Sequence, residues 1–158
     1  MNTPDISDLY YSLPVIVDFN AYAKKNLIIG KIQTVKCLND NSKVREVLSK
    51  DGTDSILIVD GHASKEVALM GDKVAVLAKE NKWEAIIING YIRDVEHLHN
   101  IDLGIYALGT SPKKSKKENM GEISVEIKLQ GVDIKPGYWA YIDQNGIIIS
   151  PEKLKINS

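Results

Sequence analysis

At 158 residues the chain has the length of one domain built on one core. Its 44% hydrophobic and 26% charged residues are ordinary globular proportions, which exclude disorder as the default state. A net charge of -1 gives the whole molecule no pull toward nucleic acid or an anionic membrane, so a nucleic-acid role would need a local basic patch.

A lone cysteine, Cys37, rules out a disulfide within the chain. It lies in the apolar run Ile32–Leu38 and reads as a small buried hydrophobe rather than a nucleophile. No apolar stretch approaches the roughly 18 residues of a membrane span. The N-terminus MNTPDISDLYYSL lacks the basic-then-apolar order of a secretion signal, so the cytoplasm is the expected location.

In chain order, the first predicted strand is Gly30–Leu38 (GKIQTVKCL), alternating and β-branched. A helix is predicted over Asn41–Leu48, with Val44 and Leu48 four residues apart. Ser55–Asp60 (SILIVD) is continuously apolar up to its last residue, the pattern of a strand buried on both faces. Lys65–Met70 carries a helical pattern that Gly71 interrupts. Asp72–Glu80 is a second helix, with Val74, Leu77 and Ala78 on one face and Asn81 as its stop. Ala85–Gly90 (AIIING) is another buried strand, followed by a short helical turn over Val95–Asn100. Ile105–Gly109 is a fourth strand, and Ile123–Leu129 alternates as a fifth. Tyr138–Ile142 and Gly146–Ser150 form a hairpin through Asp143-Gln144-Asn145-Gly146, where Asn-Gly signals the turn. Strand–helix alternation predicts an α/β fold with a parallel core sheet, and the last third predicts antiparallel strands. No linker divides the chain, so residues 1–158 are expected to form a single domain.

Two strands run into residues suited to chemistry. Ser55–Asp60 leads into Gly61-His62, and Ala85–Gly90 leads into Tyr91-Ile92-Arg93-Asp94. In open α/β sheets ligands bind outside the carboxyl ends of the strands. Arg93 offers a planar donor fork for a carboxylate or keto oxygen, and Asp94 offers hard oxygen to Mg²⁺ or Mn²⁺. The same dipeptide also suits a plain surface ion pair. Gly71-Asp72-Lys73-Val74 opens a helix, where free amides can bind an anion and Gly71 allows close approach. Asp72 fits either of two roles, complementing the helix dipole or handling a proton through a water. The four lysines within Lys113–Lys117 read first as a solvated loop, with a phosphate or acidic-partner contact as the sharper alternative.

The run Asp72-x20-Arg93-Asp94 resembles the signature of the RraA-like family, which includes 4-hydroxy-4-methyl-2-oxoglutarate aldolases. Further landmarks keep the family's order: Thr34–Cys37 with Asp40-Asn41, Ile58–Gly61, Gly71-Asp72, Gly90–Asp94, Ala107–Thr110, Pro136–Trp139, and Asp143 through Pro151. The resemblance runs from about Asp8 to about Leu154. It implies a three-layer swivelling β/β/α domain assembled as a trimer or hexamer. It implies a class II reaction in which a divalent metal assists pyruvate-releasing carbon–carbon cleavage, and decarboxylation of oxaloacetate beside it. The amides of Gly71, Asp72, Lys73 and Val74 would hold the substrate carboxylate. Arg93 would bind the keto oxygen and steady the enolate, Asp94 would hold the metal, and Asp72 would orient a proton-delivering water. Lys65, Lys73 and Lys79 are then surface lysines rather than Schiff-base groups.

The resemblance also implies an alternative, since short members bind and regulate ribonuclease E, and Lys113–Lys117 would be the place for that contact. A third name carried by relatives, quinone methyltransferase, lacks its strand–GxGxxG–helix unit here. His62 stands where the family often has glycine and fits a ligand, a proton donor or a loop residue. His97 and His99 are two apart and point to different helix faces, which argues against a joint metal site. Trp83 and Trp139 read as packing residues.

Overall fold

The computed structural model describes residues 1–156. Its elements, in chain order, are α1 (Thr3–Leu9), β1 (Val15–Ile16), β2 (Asn20–Ala21), β3 (Ile28–Lys36), α2 (Ser42–Leu48), β4 (Ser55–Asp60), β5 (Ala68–Met70), α3 (Asp72–Glu80), β6 (Ala85–Ile92), a 3₁₀ turn (Val95–His97), β7 (Gly104–Thr110), β8 (Glu122–Ile123), β9 (Ile127–Leu129), β10 (Val132–Ile134), β11 (Trp139–Asp143) and β12 (Gly146–Ser150).

Ten of these strands form one mixed sheet, with the path β1-β12-β11-β3-β4-β6-β7-β2 and with β5 and β8 attached to β6 and β3. The centre, β3-β4-β6-β7, is parallel. The β11–β12 hairpin adds to β3 antiparallel. Along β4 successive residues serve opposite cores. Leu57 and Val59 pack toward α2 and α3, against Val44, Leu48 and Ala75. Ile56 and Ile58 pack on the other face, with Ile127, Leu129 and Ile134 of the separate β9–β10 hairpin. The layers are therefore hairpin, sheet and helices, the β/β/α order expected. Full burial on both faces is why β4 and β6 read as unbroken apolar runs, and each such side chain contributes about 1.5–3 kcal/mol.

Two expected elements are corrected. Lys65–Met70 is not helical: Val67 to Met70 are buried all round, and Ala68–Met70 pair with the end of β6. So short an apolar run carries no usable period. Ile123–Leu129 is not one strand either. Ser124 takes a left-handed φ of 60°, ending β8, and the chain passes to the other side of the sheet. Ile123 packs on the helical side, whereas Val125, Ile127 and Leu129 pack on the hairpin side. The alternation marked burial correctly but hid the crossing. The β9–β10 turn is Gln130-Gly131, both at positive φ, the geometry of a type I′ hairpin.

No helix is long and apolar enough to cross a membrane among the described residues. Trp83 and Trp139 do pack. Trp83 is buried and its Nε1 donates to the Lys50 carbonyl at 3.0 Å, while Trp139 lies under the Lys153 ammonium, 5.1 Å from the ring centre.

Candidate active site

The parallel strands end along one edge, and a cavity of about 260 Å³ opens there. Gly71, Asp72, Lys73, Val74, Arg93 and Asp94 all line it, so the two sequence motifs meet in one place. The register explains the meeting. Ala68 pairs with Tyr91 and Met70 with Ile92, so the chain leaves β5 and β6 side by side. The Arg93 amide still donates to the Met70 carbonyl at 2.9 Å. β6 has shifted register between Ile88 and Tyr91, which re-aims its last residues.

Asp94 sits in the left-handed region at φ 61°, a conformation that Asp tolerates better than most side chains and that clusters at functional turns. Its Oδ2 accepts from the Asp72 amide at 3.3 Å. The carboxylate fits there because Gly71 has no side chain: a Cβ on Gly71 would overlap Asp94 Oδ2. The amides of Lys73 and Val74 belong to the same first turn of α3, whose N–H groups have no intrahelical acceptor. Arg93 Nε lies 4.0 Å from Asp94 Oδ2, and one Nη donates to the Pro112 carbonyl at 3.4 Å. The side chains of Arg93 and Asp94 are 38% and 35% exposed, open enough to receive a ligand.

The segment Lys113–Lys117 is more than a solvated loop. Lys114 and Lys117 line the same cavity, and so does Arg45 of α2. The backbone here is strapped on both sides. The Ala68 amide donates to the Lys113 carbonyl at 2.8 Å, and Lys114 bridges to Ala68. The Lys116 amide donates to the Asn39 carbonyl at 3.1 Å, and the buried Ser115 hydroxyl accepts from the Asn41 amide at 2.9 Å. Beyond it, the Asp40 carboxylate accepts from the amides of Glu118 and Met120. Burial opposes ionisation of Asp40, but these bonds and those from Ser42 outweigh it and hold its pKa below the usual range.

Other candidates fall outside this cavity. His62 is exposed and lines a wider cleft of about 480 Å³ with Cys37 and Asp40, on the far side of the strap. Its amide donates to Asp60, so the end of β4 serves the turn. Burial, with the charges of Asp40 and Asp60, pushes the Cys37 thiol up to about 12, so it is a thiol at neutral pH. His97 pairs with its neighbour Glu96 at 3.5 Å, and Lys79 with Asp102 at 3.3 Å. Sequence reasoning did not single out Arg45, which lies on an exposed helix face like any surface arginine.

Fold and cleft define the class: an α/β protein whose parallel strands deliver an Arg-Asp pair to the start of a helix. The chain belongs to the RraA-like family, whose model, described as Aldolase/RraA, matches residues 3–149. A relative from Shewanella oneidensis is 47% identical over 153 residues, covering 96% of this chain and 93% of its own length. One from Vibrio cholerae is 44% identical, covering 98% and 97%. Both carry the name "Putative 4-hydroxy-4-methyl-2-oxoglutarate aldolase". Among solved structures, one described as the RNA-processing inhibitor RraA from Thermus thermophilis superposes with a TM-score of 0.94 at 35% identity, over 98% of this chain and 95% of the other. A second, described as an S-adenosylmethionine: 2-dimethylmenaquinone methyltransferase from Geobacillus kaustophilus, gives 0.94 at 37%, over 98% and 97%.

Proposed function

We propose that this chain is a metal-assisted lyase that cleaves 4-hydroxy-4-methyl-2-oxoglutarate to pyruvate and decarboxylates oxaloacetate. The observation that carries the reading is the Asp94 carboxylate lying 3.3 Å from the Asp72 amide, with the Arg93 guanidinium beside it. The donor set fits a hydrated hard cation such as Mg²⁺ or Mn²⁺. Asp94 supplies one carboxylate oxygen in a space that Gly71 leaves open. No group of three His, Cys, Asp or Glu side chains gathers among the described residues, and Mg²⁺ commonly keeps its waters and takes only one or two carboxylates. When bound, such a cation supplies Lewis-acid polarisation of the keto oxygen.

The chain's own groups do the rest. Amides of the first turn of α3 bind the substrate's C1 carboxylate. Arg93 donates to the C2 oxygen, where negative charge develops. In the aldol cleavage the C4 hydroxyl gives its proton to a neighbouring water, the C3–C4 pair flows into the enolate, and C4 leaves as the keto carbon of a second pyruvate. In decarboxylation the same pair is released as CO₂ departs. Asp72 orients a water that returns a proton to C3, giving pyruvate. No lysine amine is required.

The test is pyruvate release from both acids with Mg²⁺, with chelator, and in Arg93→Ala and Asp94→Ala. Loss of one such donor removes about 2.7–4 kcal/mol, roughly 10²–10³ in kcat. Release that ignores chelator and survives Asp94→Ala would overturn the proposal. The same reading expects a trimer or hexamer in the cytoplasm; sedimentation of the purified protein checks the assembly, and cell fractionation checks the location. A second reading is that the chain binds and regulates ribonuclease E; the description of the Thermus protein as an RNA-processing inhibitor supports its coarser part, a role in RNA processing. Unchanged ribonuclease E cleavage at saturating protein would remove it.

A further inference from the structure

We infer that Arg45, Lys114 and Lys117 form a binding wall for the second carboxylate of a dicarboxylic 2-oxo acid, and that they set the site's preference for such acids over monocarboxylic ones. The inference rests on reading the cleft as a keto-acid site and adds the residues that select the acid. All three side chains line the cavity that also holds Arg93 and Asp94. Among the described residues, none of the three has a carboxylate partner within 4.0 Å, so each charge is open to a ligand.

Charge balance points the same way. The lining holds five cationic side chains, these three with Lys73 and Arg93, against the two carboxylates of Asp72 and Asp94. One substrate carboxylate at the start of α3 leaves most of that excess uncompensated. A second, received by the far wall, offsets more of it.

The placement is built into the fold rather than left to a free loop. Lys114 is bridged to Ala68 of β5, and the following residue, Ser115, is buried and bonded to the Asn41 amide one turn before Arg45. The strap thus fixes the backbone that carries Lys114 and Lys117 at the same cavity that Arg93 lines. Fixing the backbone that carries the cations reduces part of the ordering cost of binding.

The test is calorimetric titration, with Mg²⁺ present, of 2-oxoglutarate and of the monocarboxylic 2-oxobutyrate. Wild type is compared with Lys114→Met, Lys117→Met, the triple variant that adds Arg45→Met, and Lys128→Met as a charge control far from the cavity. Wild type is expected to bind 2-oxoglutarate about tenfold more tightly, the scale of one charge-assisted hydrogen bond. The triple variant should lose that preference while holding 2-oxobutyrate as wild type does, which also reports that it is folded. Lys128→Met should change neither. Equal binding of the two acids by wild type, binding of neither, a preference that survives the triple substitution, or equal weakening of both ligands overturns the inference. Pyruvate release is scored separately. A wild type that prefers 2-oxoglutarate but releases no pyruvate ends the lyase reading and keeps the wall, and a working lyase without the preference does the reverse.

Discussion

One methyl group tests the geometry of the cleft. Gly71 has extended backbone, φ -132° and ψ -161°, so Gly71→Ala adds no torsional strain. The new Cβ would overlap Asp94 Oδ2 and lie 3.4 Å from Arg93 Cγ. Asp94 has little freedom to retreat as a whole, because its carbonyl accepts the His97 amide at 2.9 Å in the following turn. The carboxylate must therefore rotate away and lose its contact with the Asp72 amide. A hydrogen bond to a charged group is worth about 1.5–3 kcal/mol, and partial exposure of Asp94 reduces this to about 1 kcal/mol. Replacing glycine lowers the entropy of the unfolded chain and returns about 0.4–1 kcal/mol. Stability should thus change by less than about 1 kcal/mol, a shift in Tm of at most roughly 2–4 °C. Activity should suffer far more, since a displacement of about 1 Å in a positioned group can cost roughly 100-fold. Thermal unfolding and pyruvate release on the same preparation separate the two effects. A folded Gly71→Ala protein with wild-type turnover would refute the reasoning.

Three further outcomes follow from buried polar groups. Asp40 is 2% exposed and caps the amides of Glu118 and Met120, so Asp40→Ala should cost about 2–3 kcal/mol and speed hydrogen exchange at those two amides but not in β4. Asp143 is buried, which raises its pKa, but Thr3 and Asn145 donate to it and hold the pKa below the ordinary value. Its contribution is therefore complete above about pH 4, the unfolded value, and lost as pH falls through the lower folded one. Urea titrations at neutral and acid pH should show a flatter acid limb for Asp143→Asn than for wild type. The Tyr106 hydroxyl is buried without a partner among the described residues, and burial, with the Asp143 charge, pushes it to about 12. Tyr106→Phe should raise stability by about 1 kcal/mol in the same titration, and a loss instead would reveal a buried water on that hydroxyl.

Most of the fold was legible where a segment has one environment along its length. β4 matches its apolar run residue for residue, and the β11–β12 hairpin turns within the expected Asp143–Gly146, though on Gln144-Asn145 rather than on Asn-Gly. α3 begins and ends where its pattern does. Legibility failed where neighbouring residues serve different layers. Ile123 and Val125 stand two apart yet pack on opposite faces of the sheet, which a period-2 pattern cannot express. The N-terminal helix α1 was missed although its signals were present. Asn2 and Asp5 form a capping box around Pro4, but the seven residues Thr3–Leu9 lack the length for a helical period to stand out.

The cleft shows a sharper form of the same limit. Gly71-Asp72 and Arg93-Asp94 could be named from their residue types, but sequence order contains no distance between them. That distance comes from β5, the three residues whose pattern had suggested a helix. One edge of β5 pairs with Tyr91 and Ile92 and so sets Gly71 beside Arg93. Its other edge bonds Lys113 and Lys114 and so holds the cationic strap in place. A strand this short and this buried has neither the length nor the polar face that would announce it. Its two edges nevertheless meet both halves of the proposed site, so the register Met70 to Ile92 governs the chemistry. A slip by one residue would turn the side chains of β5 to the opposite faces and carry Gly71 away from the Asp94 carboxylate.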